Sequence, residues 1–127
     1  MIQRFRTLSA TRHLAVAAAL IALSACASAP KNDAFVVGQQ VMIEGDVVQV
    51  DTAPWAYDGN AVVTVSTTAA GTVNVQLPAR WNLCKAPPPG DVQALKPGDR
   101  VQAIGTATAP GELVVCEQPQ HRLRKLE

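Results

Sequence analysis

The stretch Gln40-Val41-Met42-Ile43-Glu44-Gly45-Asp46-Val47-Val48-Gln49-Val50-Asp51 decides the fold. It is rich in valine, is broken near its middle by Gly45-Asp46, and alternates apolar with polar residues until the pattern slips at Val47-Val48. A slip of one residue changes which side chains face inward, so a β-bulge is predicted there. A long strand with a glycine and a bulge can bend across two sheets.

Working outward, residues 61–67 alternate Val63 and Val65 against Thr64 and Ser66, and Ala69-Ala70-Gly71 supplies a turn. Val73, Val75 and Leu77 then alternate with Asn74 and Gln76, which completes a predicted hairpin. Lys96-Pro97-Gly98-Asp99 leads into a strand over 100–108, and Ala109-Pro110-Gly111-Glu112 turns it into Leu113-Val114-Val115-Cys116. Pro87-Pro88-Pro89-Gly90 cannot pair in a sheet, whereas residues 91–95 can form one helical turn capped by Asp91.

The predicted fold class is therefore all-β, with three strands, a short helix, and two strands. That order, with a bent and bulged first strand, resembles the oligonucleotide/oligosaccharide-binding (OB) fold, a small five-stranded barrel. The resemblance covers roughly residues 37–117 and rests on Gly45, Gly98-Asp99-Arg100-Val101 and Gly105, which mark a fold and not a function. More narrowly the chain looks like the bacterial periplasmic barrels of this class, although the aspartate and aromatic spacing common in their second strand is not evident. The rival architecture is a small β-sandwich.

At the amino terminus, Leu23-Ser24-Ala25-Cys26 resembles the lipobox of bacterial lipoproteins. Arg4, Arg6 and Arg12 precede an apolar run, residues 14–23, of about ten residues against the roughly twenty that span a bilayer. Positive region, apolar run and small residues stand in the order of a secretory signal. The resemblance implies cleavage before Cys26, lipidation of its thiol, and membrane attachment through that lipid, with Ala27 favouring the outer membrane over the inner one. The alternative is an ordinary secretory signal cleaved after Ala27 or Ala29. Domain boundaries follow: a signal peptide at 1–25, a lipidated flexible tether at 26–36, the barrel at 37–119, and a basic tail at 120–127.

Loss of the signal removes three arginines, which takes the 11 basic residues to 8 against 10 acidic, a net charge of −2. Nucleic-acid binding by bulk charge is not expected of such a chain. What remains suffices for one small domain. Export also places Cys84 and Cys116 in an oxidising compartment, where small domains use covalent staples, so a disulfide between them is predicted. No Cys-x-x-Cys pair points to redox exchange.

For catalysis the sequence is sparse. His121 is the one histidine after the signal, and no nucleophile elbow, phosphate loop or zinc motif occurs, so no enzyme, metal or cofactor is predicted. Asp46, Asp51, Asp58, Asp91 and Asp99 fall mostly at turns, where aspartate caps backbone amides.

The candidate contact surface is the loop at 52–60, between the first two strands. Trp55 and Tyr57, two residues apart, share a face if the backbone is extended and can stack on a sugar ring, a base or an apolar side chain. The alternative is that Trp55 covers the open end of the barrel. Arg80 offers a guanidinium to a carboxylate or phosphate, while the neighbouring Trp81 reads as core. The basic tail, which contains His121, Arg122, Arg124 and Lys125, is either solvated or in touch with anionic headgroups or peptidoglycan carboxylates.

Two function classes follow. One is a non-catalytic binding or accessory module in the cell envelope, holding a saccharide, a peptide or a partner protein through Trp55, Tyr57 and Arg80. The other is a structural or envelope-stress lipoprotein that makes protein contacts only.

Overall fold

The computed structural model describes residues 35–127. The predicted signal peptide, Cys26 and most of the predicted tether lie outside the described residues. Among the described residues six strands form: β1 (Gln40–Asp51), β2 (Ala61–Thr67), β3 (Gly71–Leu77), β4 (Arg100–Ala109), β5 (Glu112–Val114) and β6 (Arg122–Lys125). They run β1-β2-β3-β5-β4, and β4 pairs again with β1, which closes the barrel. The β3–β5 pairing is parallel, with Asn74 opposite Glu112 and Gln76 opposite Val114, and the others are antiparallel. The closed circuit is that of an OB-like barrel and excludes the sandwich.

β1 earns its double pairing through the predicted bend. Residues 40–46 pair with β4, and residues 46–51 pair with β2. The register passes from Val47 opposite Val65 to Gln49 opposite Thr64, leaving Val48 unpaired and exposed at the bulge. There Val47 exchanges hydrogen bonds with the turn before β4, donating to Asp99 O and accepting from Gly98 N, both at 2.8 Å.

Gly45 and Gly105 hold the two tightest crossings. A Cβ on Gly45 would collide with Ser66 O, and one on Gly105 with Val114 O, so the strands could not approach as they do.

Alternation then builds the core. Val41, Ile43 and Val47 of β1 face Val63 and Val65, Val73, Val75 and Leu77, Val101, Ala103 and Ala107, and Leu113 across the interior. Burial of each valine or leucine contributes about 1.5–3 kcal/mol. Phe35 is also buried, so the folded unit starts two residues before the predicted boundary at 37.

Between β3 and β4, the turn predicted at 91–95 is a 3-10 turn, Val92–Ala94, and Asp91 Oδ1 accepts from Ala94 N at 3.2 Å. A second 3-10 turn, Trp81–Leu83, leads to Cys84, which is bonded to Cys116 with the Cα atoms 4.6 Å apart. Cys116 O accepts from Lys85 N at 2.9 Å and from Ala86 N at 3.0 Å.

The carboxyl-terminal reading needs correction. The predicted last strand ends at Val114, not at Cys116, and the basic stretch at 120–127 is not a tail. β5 and β6 lie in succession on one edge of β4, β5 against its end and β6 against Val101–Ile104, so they fill the fifth barrel position as one interrupted strand. Residues 115–121 make an excursion between them. The physical reason is Leu123: it sits between Arg122 and Arg124 at strand period and is buried, as is His121.

Candidate functional site

The β1–β2 loop is not extended. Asp51 Oδ1 accepts from Ala53 N at 3.0 Å, Pro54 presets a helical φ, and Ala53–Tyr57 winds into a 3-10 turn. Asp58 ends it in the left-handed region, with φ 60° and ψ 16°, a conformation aspartate tolerates better than most residues. Gly59 N closes the turn on Pro54 O at 2.9 Å.

This geometry corrects the expectation that Trp55 and Tyr57 share a face. Residues two apart on a three-residue turn point roughly 120° apart. Trp55 turns inward: its Nε1 donates to Leu77 O at 2.9 Å and its ring packs against the core, so it covers the barrel end. Tyr57 turns outward and is 88% exposed.

Arg80 reaches back to the same loop. Its Nη2 lies 2.7 Å from Asp58 Oδ2 and its Nε 3.4 Å from Asp58 Oδ1, a forked pair that is exposed on both sides. Such a pair contributes little to stability, on the order of 0–1 kcal/mol. Its consequence is geometric, since it fixes the loop tip against the chain that leaves β3.

Directly after the tip begins a face of neutral hydrogen-bonding groups. Thr64 and Ser66 on β2 and Thr72, Asn74 and Gln76 on β3 occupy the positions between the buried valines. Asn60 Nδ2 donates to Gln76 Oε1 at 2.7 Å, and Thr64 Oγ1 donates to Asn74 Oδ1 at 3.2 Å. Each amide keeps further donor or acceptor capacity. The alternation of Asn74 and Gln76 with valine marked them as outward-facing, but nothing in the sequence joined them to Asn60 or Asp58 to Arg80.

The turn aspartates are mostly accounted for by the backbone. Asp51, Asp91 and Asp99 each accept a backbone N–H, as the turn reading predicted, while Asp46 pairs with Arg100 at 3.5 Å. Asp99 lies below its usual carboxylate range, held first by the Lys96 N–H it accepts and then by Lys125. Trp81 packs against the core, with its Nε1 buried and unpartnered among the described residues. His121 is fully buried, and its Nδ1 accepts from Cys116 N and Gln118 N at 3.4 Å each, so it cannot serve as a base toward a ligand. Among the described residues no three His, Cys, Asp or Glu side chains gather in a way that could hold a metal ion.

The arrangement is chemically one of contact: an exposed phenol, a fixed ion pair and a neutral polar face on a closed barrel. No protein-family model matches the sequence, and no curated protein matches it.

Proposed function

We propose that this protein is a non-catalytic binding module of the bacterial cell envelope, tethered to the outer membrane through lipid on Cys26 and facing the periplasm. Its ligand surface is the loop carrying Tyr57, with the β2–β3 face beside it. The observation that carries this reading is the contrast within the loop: Trp55 is committed to Leu77, yet Tyr57, two residues on, stands 88% exposed on a hydrogen-bonded 3-10 turn. A preorganised aromatic ring binds with little ordering cost. The adjoining amides and hydroxyls favour a saccharide, because polyols satisfy neutral donors and acceptors while a sugar ring covers an aromatic face. Arg80 acts as a positioning residue through Asp58.

Titration of the full chain with glycan strands released from bacterial cell wall tests the site. Tyr57→Ala is expected to weaken binding by about fivefold or more, since aromatic stacking contributes about 1–3 kcal/mol, and to leave the melting temperature unchanged. Trp55→Ala, in contrast, is expected to lower the melting temperature. Glycan binding indifferent to Tyr57→Ala would sink the saccharide reading, and a protein partner retained without any glycan affinity would favour the contact-only lipoprotein.

The anchor has its own test. Cys26→Ser is expected to move the protein out of the membrane fraction or leave it unprocessed, because lost acyl chains take with them about 0.8 kcal/mol per buried methylene. Unchanged fractionation would remove the lipid from the proposal.

A further inference from the structure

β6 is an edge. It pairs with β4 on one side, and its other side meets no strand among the described residues. The register shows which groups that edge presents. Leu126 N donates to Arg100 O at 2.7 Å, so the pairs that exchange hydrogen bonds with β4 fall at Arg124–Gln102 and Arg122–Ile104. The N–H and C=O of Leu123 and Lys125 therefore point away from the barrel, and they find no partner among the described residues.

A cleft of about 340 Å³ lies beside them, between β6 and the 3-10 turn Val92–Ala94. Its lining includes Val92, Leu95 and Leu123, with Asp91, Arg124 and Lys125 around them. Asp91 accepts Ala94 N and keeps its charge, whereas Arg124 on the cleft, and Lys96, whose N–H Asp99 accepts, have no carboxylate partner for their side chains among the described residues. Lys125 has Asp99 at 3.5 Å.

We propose that this edge takes up an extended acidic segment of a partner protein, which adds to the barrel as a further strand. Strand addition uses free main-chain groups for affinity and side-chain pockets for specificity. Alternation dictates the pattern that fits: side chains on the Leu123 face enter the cleft and must be apolar, while those beside Arg124 lie on the outer face and must be acidic. The same charges argue against a second copy of this chain, because pairing two β6 edges sets Arg122, Arg124 and Lys125 against their own kind. The edge lies on a different strand from the Tyr57 loop, so the two surfaces are separable.

The test uses the full chain and a hexapeptide alternating glutamate and leucine, followed by fluorescence anisotropy and amide exchange. Binding is expected, with exchange slowed at Leu123 and Lys125. Arg124→Glu, a change at an exposed position, is expected to weaken it at least tenfold, and the matching lysine–leucine peptide is expected not to bind. N-methylation of alternate peptide amides separates strand addition from charge attraction, and one of the two methylation registers is expected to cost at least tenfold. The proposal is overturned if both methylated peptides bind as well as the parent, if protection appears only at the Tyr57 loop, if the peptide fails to bind at millimolar concentration, or if the chain instead dimerises through β6.

Discussion

Replacing Cys84 and Cys116 together by serine is expected to lower the stability of the barrel by about 3–4 kcal/mol and its melting temperature by about 15–30 °C. The bond joins residues 32 apart, so in the unfolded chain it closes a long loop and removes conformations that the reduced chain would explore. For a domain of this size, whose net stability is of the order of 5–15 kcal/mol, the loss is a large share of the total. A local effect adds to it. Cys116 O carries the N–H groups of Lys85 and Ala86, and Cys116 lies near the start of the excursion that separates β5 from β6. Urea titrations of the oxidised chain, the reduced chain and the double serine variant provide the measurement. The last two should agree, and amide exchange should accelerate first in residues 84–86 and 115–121. A double variant within 1 kcal/mol of the oxidised chain would refute the chain-entropy account.

The same region shows where sequence reading stops. β1 was legible because its signal is local: a period of two, a glycine, and a slip at Val47-Val48 that only a bulge resolves. The hairpin β2–β3 was legible for the same reason, as was Asp91, whose cap lies three residues from its donor. The disulfide followed from the export that the sequence leads one to expect and from the cysteine number. β6 was hidden because a four-residue strand with three cations carries almost no apolar pattern, and its existence depends on the β4 edge that β5 leaves free. In the loop, Pro54 was a readable sign of a turn that the spacing of Trp55 and Tyr57 obscured. The contacts that define that loop, Trp55 to Leu77 and Arg80 to Asp58, each bridge 22 residues, and no pattern of period two or three encodes them.

His121→Leu is expected to cost about 1–3 kcal/mol, because it strips the acceptor from two backbone N–H groups, each worth about 1–3 kcal/mol when left unpaired, but also removes the buried Nε2, which has no partner among the described residues and returns a similar amount. It is also expected to change how stability responds to pH. Because Nδ1 accepts from the backbone, the proton of the neutral ring sits on Nε2, and a second proton would turn the acceptor into a donor facing two donors. Burial pushes the imidazole below its ordinary value of 6.5, against a smaller upward pull from Glu117. The unfolded chain therefore binds the proton more readily than the folded one, and stability rises with pH in that window. The native chain should hold full stability above pH 6.5, lose it as pH falls toward the lowered folded value, and lose no more from this group below that. His121→Leu should flatten this limb. If both chains show the same slope, His121 is not the group that titrates. Because His121 and the disulfide both hold Cys116, their losses should not add: the triple variant should fall short of the sum of the separate losses. Full additivity would mean that the imidazole and the bond stabilise different parts of the barrel.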